Sequence, residues 1–142
     1  MPDAASVLQK QREFFATGRT RDIGFRLDGL RRLRAAIRER ETELLDALRA
    51  DLGKCPAEAY GTEVGIVLAE AAHTIRHLRR WAKLRRVAPS VANMPCACRV
   101  EPEPYGAVLV LSPWNYPFQL TLAPLIGALA AGNTAVVKPS AY

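Results

Sequence analysis

The chain has 142 residues, 49% hydrophobic and 24% charged, which suits about one domain with a core and argues against disorder throughout. Its formal charge of +6 is unevenly placed, because Glu101, Glu103 and Lys138 are the only charges after Val100, a net of −1 that leaves +7 on residues 1–100. The basic residues of that front part alternate with leucines at helical spacing instead of massing in one block, which speaks against a nucleic-acid binder.

Gln9, Lys10, Gln11, Arg12 and Glu13 stand where a signal peptide needs its apolar core, so a cytoplasmic protein is expected. After Asp3, the residues Val7, Leu8, Phe14 and Phe15 describe a short amphipathic helix that Gly18 stops. From Asp22 onward, Leu27, Leu30, Leu33 and Ile37, then Leu44, Leu48 and Leu52, share one helical stripe that Gly53 closes. The Arg40-Glu41-Thr42 stretch is a candidate kink or break, with Thr42 available to cap a second segment. A third helix is expected from about Glu63 to Arg86, with Val64, Val67, Leu68, Ala71, Ile75, Leu78 and Ala82 on its apolar side. Its ~24 residues would span about 36 Å.

Beyond Pro89 the period changes. Residues Ala97 to Glu103 mix polar and apolar character between Pro95 and Pro104, the pattern of an exposed or edge strand. Ala107 to Leu111 is a wholly apolar run suited to a central parallel strand, Ser112 to Pro117 is a loop, and Phe118 to Ala131 is helical, with Pro124 either kinking the helix or opening its second half. Gly132-Asn133 closes that helix, and Thr134 to Val137 is a second buried strand ended by Lys138-Pro139. Strand, helix and strand make one βαβ unit with a right-handed crossover. Two parallel strands alone leave apolar surface and edge groups open to water, so the sheet is expected to be incomplete and the chain to stop within its domain.

Tyr105 to Val137 carry no charge, yet Pro113, Pro117, Pro124 and the Gly132-Asn133 turn divide the run. No uninterrupted apolar helix of ~20 residues remains, and no transmembrane segment is expected. Cys55, Cys96 and Cys98 are an odd count without a disulfide pattern, and the Cys96/Cys98 pair lacks the further ligands a thiolate metal site needs. Glu70, His73 and His77 share a helix face, but Arg76 and Arg80 crowd it with charge that opposes a bound cation, so no metal is expected. The basic run from Arg76 to Arg86 lies opposite Ile75 and Leu78 and reads as a solvated face.

Most information lies in Leu111-Ser112-Pro113-Trp114-Asn115-Tyr116-Pro117-Phe118, Leu125-Ile126-Gly127, Ala130-Ala131-Gly132-Asn133 and Val136-Val137-Lys138-Pro139-Ser140. In that order and spacing the chain resembles the aldehyde dehydrogenase superfamily, and Tyr116-Pro117-Phe118 with Lys138-Pro139-Ser140 is most similar to its class 3 branch. The likeness reaches back through Asp51-Leu52-Gly53-Lys54 and Ala59-Tyr60-Gly61-Thr62-Glu63-Val64-Gly65. It implies an α/β fold: N-terminal helices over residues 1–88, an extended strand or linker over 89–104, and over 105–142 the first βα units of an incomplete Rossmann-like, NAD(P)-binding sheet.

The resemblance also implies roles. Asn115 would donate its side-chain amide to the aldehyde oxygen as a thiolate attacks the carbonyl, a task suited to a donor that no pH removes. On its residue type alone, a loop asparagine more often stabilises its own turn, and it is the motif that favours the donor role. Pro113 and Trp114 would line the cofactor cleft, while ordinary core packing accounts for the same ring. Lys138 would bond the adenosine ribose hydroxyls of NAD or NADP, and Ser140 would add a hydroxyl; a lone strand-end lysine otherwise reaches to solvent. Where family members often carry a glutamate that disfavours a 2'-phosphate, this chain has Ala141, so NADP should be tolerated.

The implied reaction is oxidation of an aldehyde to a carboxylic acid, by an enzyme that is a homo-oligomer when full length. The chain does not reach the family's later glycine-bearing cofactor loop, general-base glutamate or nucleophilic cysteine, so residues 1–142 alone are expected to be inactive. The rival expectation is a non-catalytic binding module that associates with full-length subunits through its helices and the strand near Arg99.

Overall fold

The structure, a computed structural model, describes residues 3–141. Helix α1 (Ala4–Ala16) ends just before Gly18, and a single 3-10 turn leads to Asp22. The Asp22 carboxylate accepts the Phe25 N–H at 2.6 Å and so caps α2 (Ile23–Glu39). The expected break falls at Arg40, whose backbone leaves helical geometry, and α3 (Glu41–Leu52) begins directly after it. Thr42 lies inside α3 and caps nothing, because the helix starts one residue earlier.

The third helix differs from its expected span. A short turn, α4 (Pro56–Ala59), runs into a π-helical turn (Tyr60–Val64) and then α5 (Gly65–Trp81). Helix α5 stops at Trp81, and Arg85, Arg86 and Val87 form β1, paired antiparallel with β2 (Cys98–Val100) in an exposed ribbon. The anticipated exposed strand is therefore present, and its partner is the stretch whose arginines continued the helical pattern.

The core lies between α2, α3, α5 and α6 (Gln119–Ala131). Leu27 and Leu30 of α2 meet Val64, Val67 and Ala71 around the start of α5 and Ile126 of α6, all buried. Strands β3 (Ala107–Leu111) and β4 (Thr134–Lys138) pair in parallel, Ala107 opposite Thr134 and Leu111 opposite Lys138. Pro124 sits within α6 without ending it. The helix closes at Gly132, whose φ of 90° favours glycine and whose Cβ position would fall 2.7 Å from the Arg26 guanidinium.

That guanidinium ties the helical layer to the crossover helix. It donates to the carbonyls of Thr20, Arg21 and Ala130, and burial pushes its pKa below the usual arginine value. Asn133 is buried and accepts the Gly106 N–H at 2.9 Å, aligning the starts of β3 and β4. Successive strand residues face opposite ways. Val110 is buried, whereas Leu109 and Leu111 are exposed, as expected for a sheet covered on one side.

Candidate active site

The loop after β3 is built by its neighbours. The Ser112 N–H donates to the Lys138 carbonyl at 3.0 Å, so the two chain segments leave the parallel ladder side by side. The Ser112 and Thr121 hydroxyls are hydrogen-bonded to each other, and Thr121 donates to the Pro117 carbonyl, which pins the loop to the first turn of α6. Pro113 and Pro117 hold their φ angles and carry no N–H, so the loop needs few backbone acceptors.

Within this frame the five anticipated site residues gather at the carboxyl end of β3 and β4. Asn115 is exposed, and its side chain has no hydrogen-bond partner among the described residues. It does not stabilise its own turn, and its amide donors remain available. Trp114 is 59% exposed and is not among the residues of the core, while Pro113 beside it is half-buried. Lys138 is exposed at the end of β4, and Ser140 follows it half-buried. An indole, an ammonium and a hydroxyl at adjacent strand ends are a donor set suited to a dinucleotide, in the place where open α/β sheets bind ligands.

Beneath the loop lies a charge pair that reading the sequence did not single out. Glu63 is 0% exposed and Lys54 8%, and the Lys54 ammonium donates to Oε1 of Glu63. The other carboxylate oxygen accepts the N–H groups of Phe118, at 2.9 Å, and Gln119, at 3.3 Å, at the start of α6. Lys54 Nζ also donates to the Asn115 carbonyl at 3.4 Å and lies 4.0 Å from the centre of the Tyr116 ring. The available signal was the stripe itself: Glu63, Val67 and Ala71 are four apart, which places a carboxylate on the apolar side of a helix, where it needs a partner.

The remaining polar groups stay apart from this site. Cys96 and Cys98 bring their sulfurs within 3.6 Å on the exposed ribbon, and the Cys98 partner raises the Cys96 thiol pKa. Cys55 is exposed before α4. The His73 and His77 rings lie tilted at 4.2 Å between centres, and His77 stacks on Trp81. Among the described residues no group of three or more His, Cys, Asp or Glu is placed to hold a metal ion, and no helix is long and apolar enough to cross a membrane.

Residues 2–142 match the family model described as "Aldehyde dehydrogenase family". The 4,4'-diaponeurosporen-aldehyde dehydrogenase of Staphylococcus aureus is 47% identical over 127 residues, which cover 89% of this chain and 28% of that protein. Aldehyde dehydrogenase family 3 member A2 of Rattus norvegicus is 44% identical over 133 residues, covering 94% of this chain and 28% of the relative. The chain thus spans about 28% of the length of these curated relatives. Among solved structures, the substrate-bound state of Staphylococcus aureus AldH superimposes with a TM-score of 0.95 at 44% identity, covering 99% of this chain and 31% of that one.

Proposed function

The chain belongs to the aldehyde dehydrogenase family, and from that premise we propose that it forms the oxyanion side and part of the cofactor cleft of an enzyme that oxidises aldehydes to carboxylic acids. The observation that carries this reading is the free Asn115 carboxamide, presented in the loop at the carboxyl end of β3, whose last residue Leu111 lies opposite Lys138.

As a nucleophile adds to an aldehyde, charge grows on the carbonyl oxygen. A donor already in place and needing no reorganisation lowers that barrier, by about 3 kcal/mol for a typical single donor. The Asn115 N–H takes this role. It stays a donor at every pH, so the oxyanion contact itself has no titration of its own.

Aldehyde dehydrogenases use NAD or NADP, and the nicotinamide supplies the hydride acceptor when bound. In our reading, Lys138 donates to ribose hydroxyls from the end of β4, Ser140 adds a hydroxyl, and Pro113 with Trp114 forms an apolar wall of the cleft. The exposure of Trp114 and Lys138 supports these roles, since a core ring or a paired lysine has nothing to offer a ligand.

None of Cys55, Cys96 and Cys98 belongs to the Asn115 loop, and the nucleophile of this reaction is expected on polypeptide outside these residues. Residues 1–142 alone should therefore oxidise no aldehyde. The test is a panel of aliphatic and aromatic aldehydes given to the full-length protein with NAD and with NADP, read by formation of reduced cofactor. Aldehyde-dependent reduction is the expected result; a folded full-length protein that reduces neither cofactor contradicts the reading. Turnover by residues 1–142 above a heat-killed control contradicts the assignment of the nucleophile.

A further inference from the structure

We propose that the buried Lys54–Glu63 pair is a positioning device for the Asn115 amide, holding its loop from both ends. This inference rests on the role given to Asn115 above. The partners of the pair carry the argument. Helix α6 begins at Gln119, after the N-cap residue Phe118, without a side-chain cap of its own, and Glu63 supplies one from another helix by accepting the Phe118 and Gln119 N–H groups. A carboxylate there also meets the positive end of the helix. On the other side, Lys54 donates to the Asn115 carbonyl and packs its ammonium on the Tyr116 ring. One ion pair therefore fixes the backbone on both sides of Pro117 while leaving the Asn115 side chain unengaged.

A local cap is a simpler way to start a helix: one Ser, Asp or Asn at the N-cap suffices. A fully buried ion pair is a poor source of stability, because desolvating two charges offsets most of their attraction. The arrangement makes sense as a fixed geometry. The π-helical turn gives a second, independent sign. It adds one residue between α4 and α5 and so sets the angle at which Glu63 leaves the helix. Gly65 permits that turn, since a Cβ there would lie 2.8 Å from the Tyr60 carbonyl and 3.0 Å from its ring. The chain accepts an irregular helix and a buried charge at the one place where both control the loop bearing the oxyanion donor. Neither residue touches the reacting atoms; both act through Asn115.

The test is a double-mutant cycle in the full-length protein, with Glu63→Gln, Asn115→Ala and the double variant. Glu63→Gln keeps the size and an acceptor but gives up the charge. It should lower kcat about tenfold or more, because a misplacement of about 1 Å costs up to ~100-fold. The KM for aldehyde and the Kd for cofactor should stay within about threefold, which a general loss of structure would not produce. With Asn115→Ala present, adding Glu63→Gln should change kcat by less than about threefold, since the group it positions is gone. A Glu63→Gln kcat equal to the parent's, or effects that multiply in the double variant, would overturn the inference. Where Glu63→Gln melts below the assay temperature, the neutral pair Lys54→Met with Glu63→Gln replaces it, with the same expectation and the same overturning results. Failure of the underlying reading looks different: Asn115→Ala then keeps the parent's kcat whatever Glu63 does.

Discussion

In the helical half Leu30, Val64, Val67 and Ala71 are fully buried, whereas Leu109 and Leu111 in the strand half are 61% and 66% exposed. The helices carry a closed core, while β3 and β4 are two strands with one apolar face uncovered. The candidate site sits at the junction. The amide proposed as its oxyanion donor belongs to the strand half, yet the groups that contact its loop, Lys54 and Glu63, belong to the helical half. Packing and chemistry are thus supplied by different parts of one chain, and substitutions in the two parts should fail in different ways.

The largest difference is expected in stability. Leu30→Ala opens a cavity at the centre of the helical core and should cost about 2–5 kcal/mol, read as a drop in the denaturation midpoint of the full-length protein. A loss under about 1 kcal/mol would mean that this core is looser than its burial indicates. At the ligand edge of the strand half, stability should barely move while specificity does. In the reading proposed here, Ala141 stands at the adenosine ribose without the acidic side chain that would disfavour a 2'-phosphate, so the full-length protein should not reject NADP by ~100-fold relative to NAD. Ala141→Glu should lower kcat/KM with NADP relative to NAD by about tenfold, the effect of an acidic residue at the ribose. Equal ratios before and after would place residue 141 away from the ribose. The smallest effect belongs to the open face: Leu109→Ser in residues 1–142 should shift stability by no more than about 0.5 kcal/mol, since the side chain already meets water. A large loss there would show that the strand face is covered, for instance by a second copy.

The strand half was the more legible in sequence. Its two strands and the helix between them fall where the apolar runs, Pro117 and Gly132 place them, because each signal is local. The helical half misled at one end. Arg79, Arg80, Lys83, Arg85 and Arg86 continue a helical pattern, but Arg85 to Val87 pair with Cys98 to Val100, and a pairing across a loop leaves no trace in periodicity. The Arg40-Glu41-Thr42 stretch shows a weak point in the helical pattern without showing which residue breaks it. Asn115, Trp114 and Lys138 stand out through their motif, since any one of them alone equally suits a turn, a core or a solvated end. Lys54 and Glu63 were hidden for a physical reason: their partners lie 61 and 55 residues further along the chain, and only the fold brings them together.

The most direct test of the account is kcat for aldehyde oxidation by the full-length Asn115→Ala variant beside its parent. Removal of one preplaced oxyanion donor should lower kcat by about 10²–10³-fold and leave cofactor affinity unchanged. A folded variant that keeps kcat within about threefold of the parent would contradict the role assigned to Asn115, and with it the reading of this loop as the oxyanion side of the site.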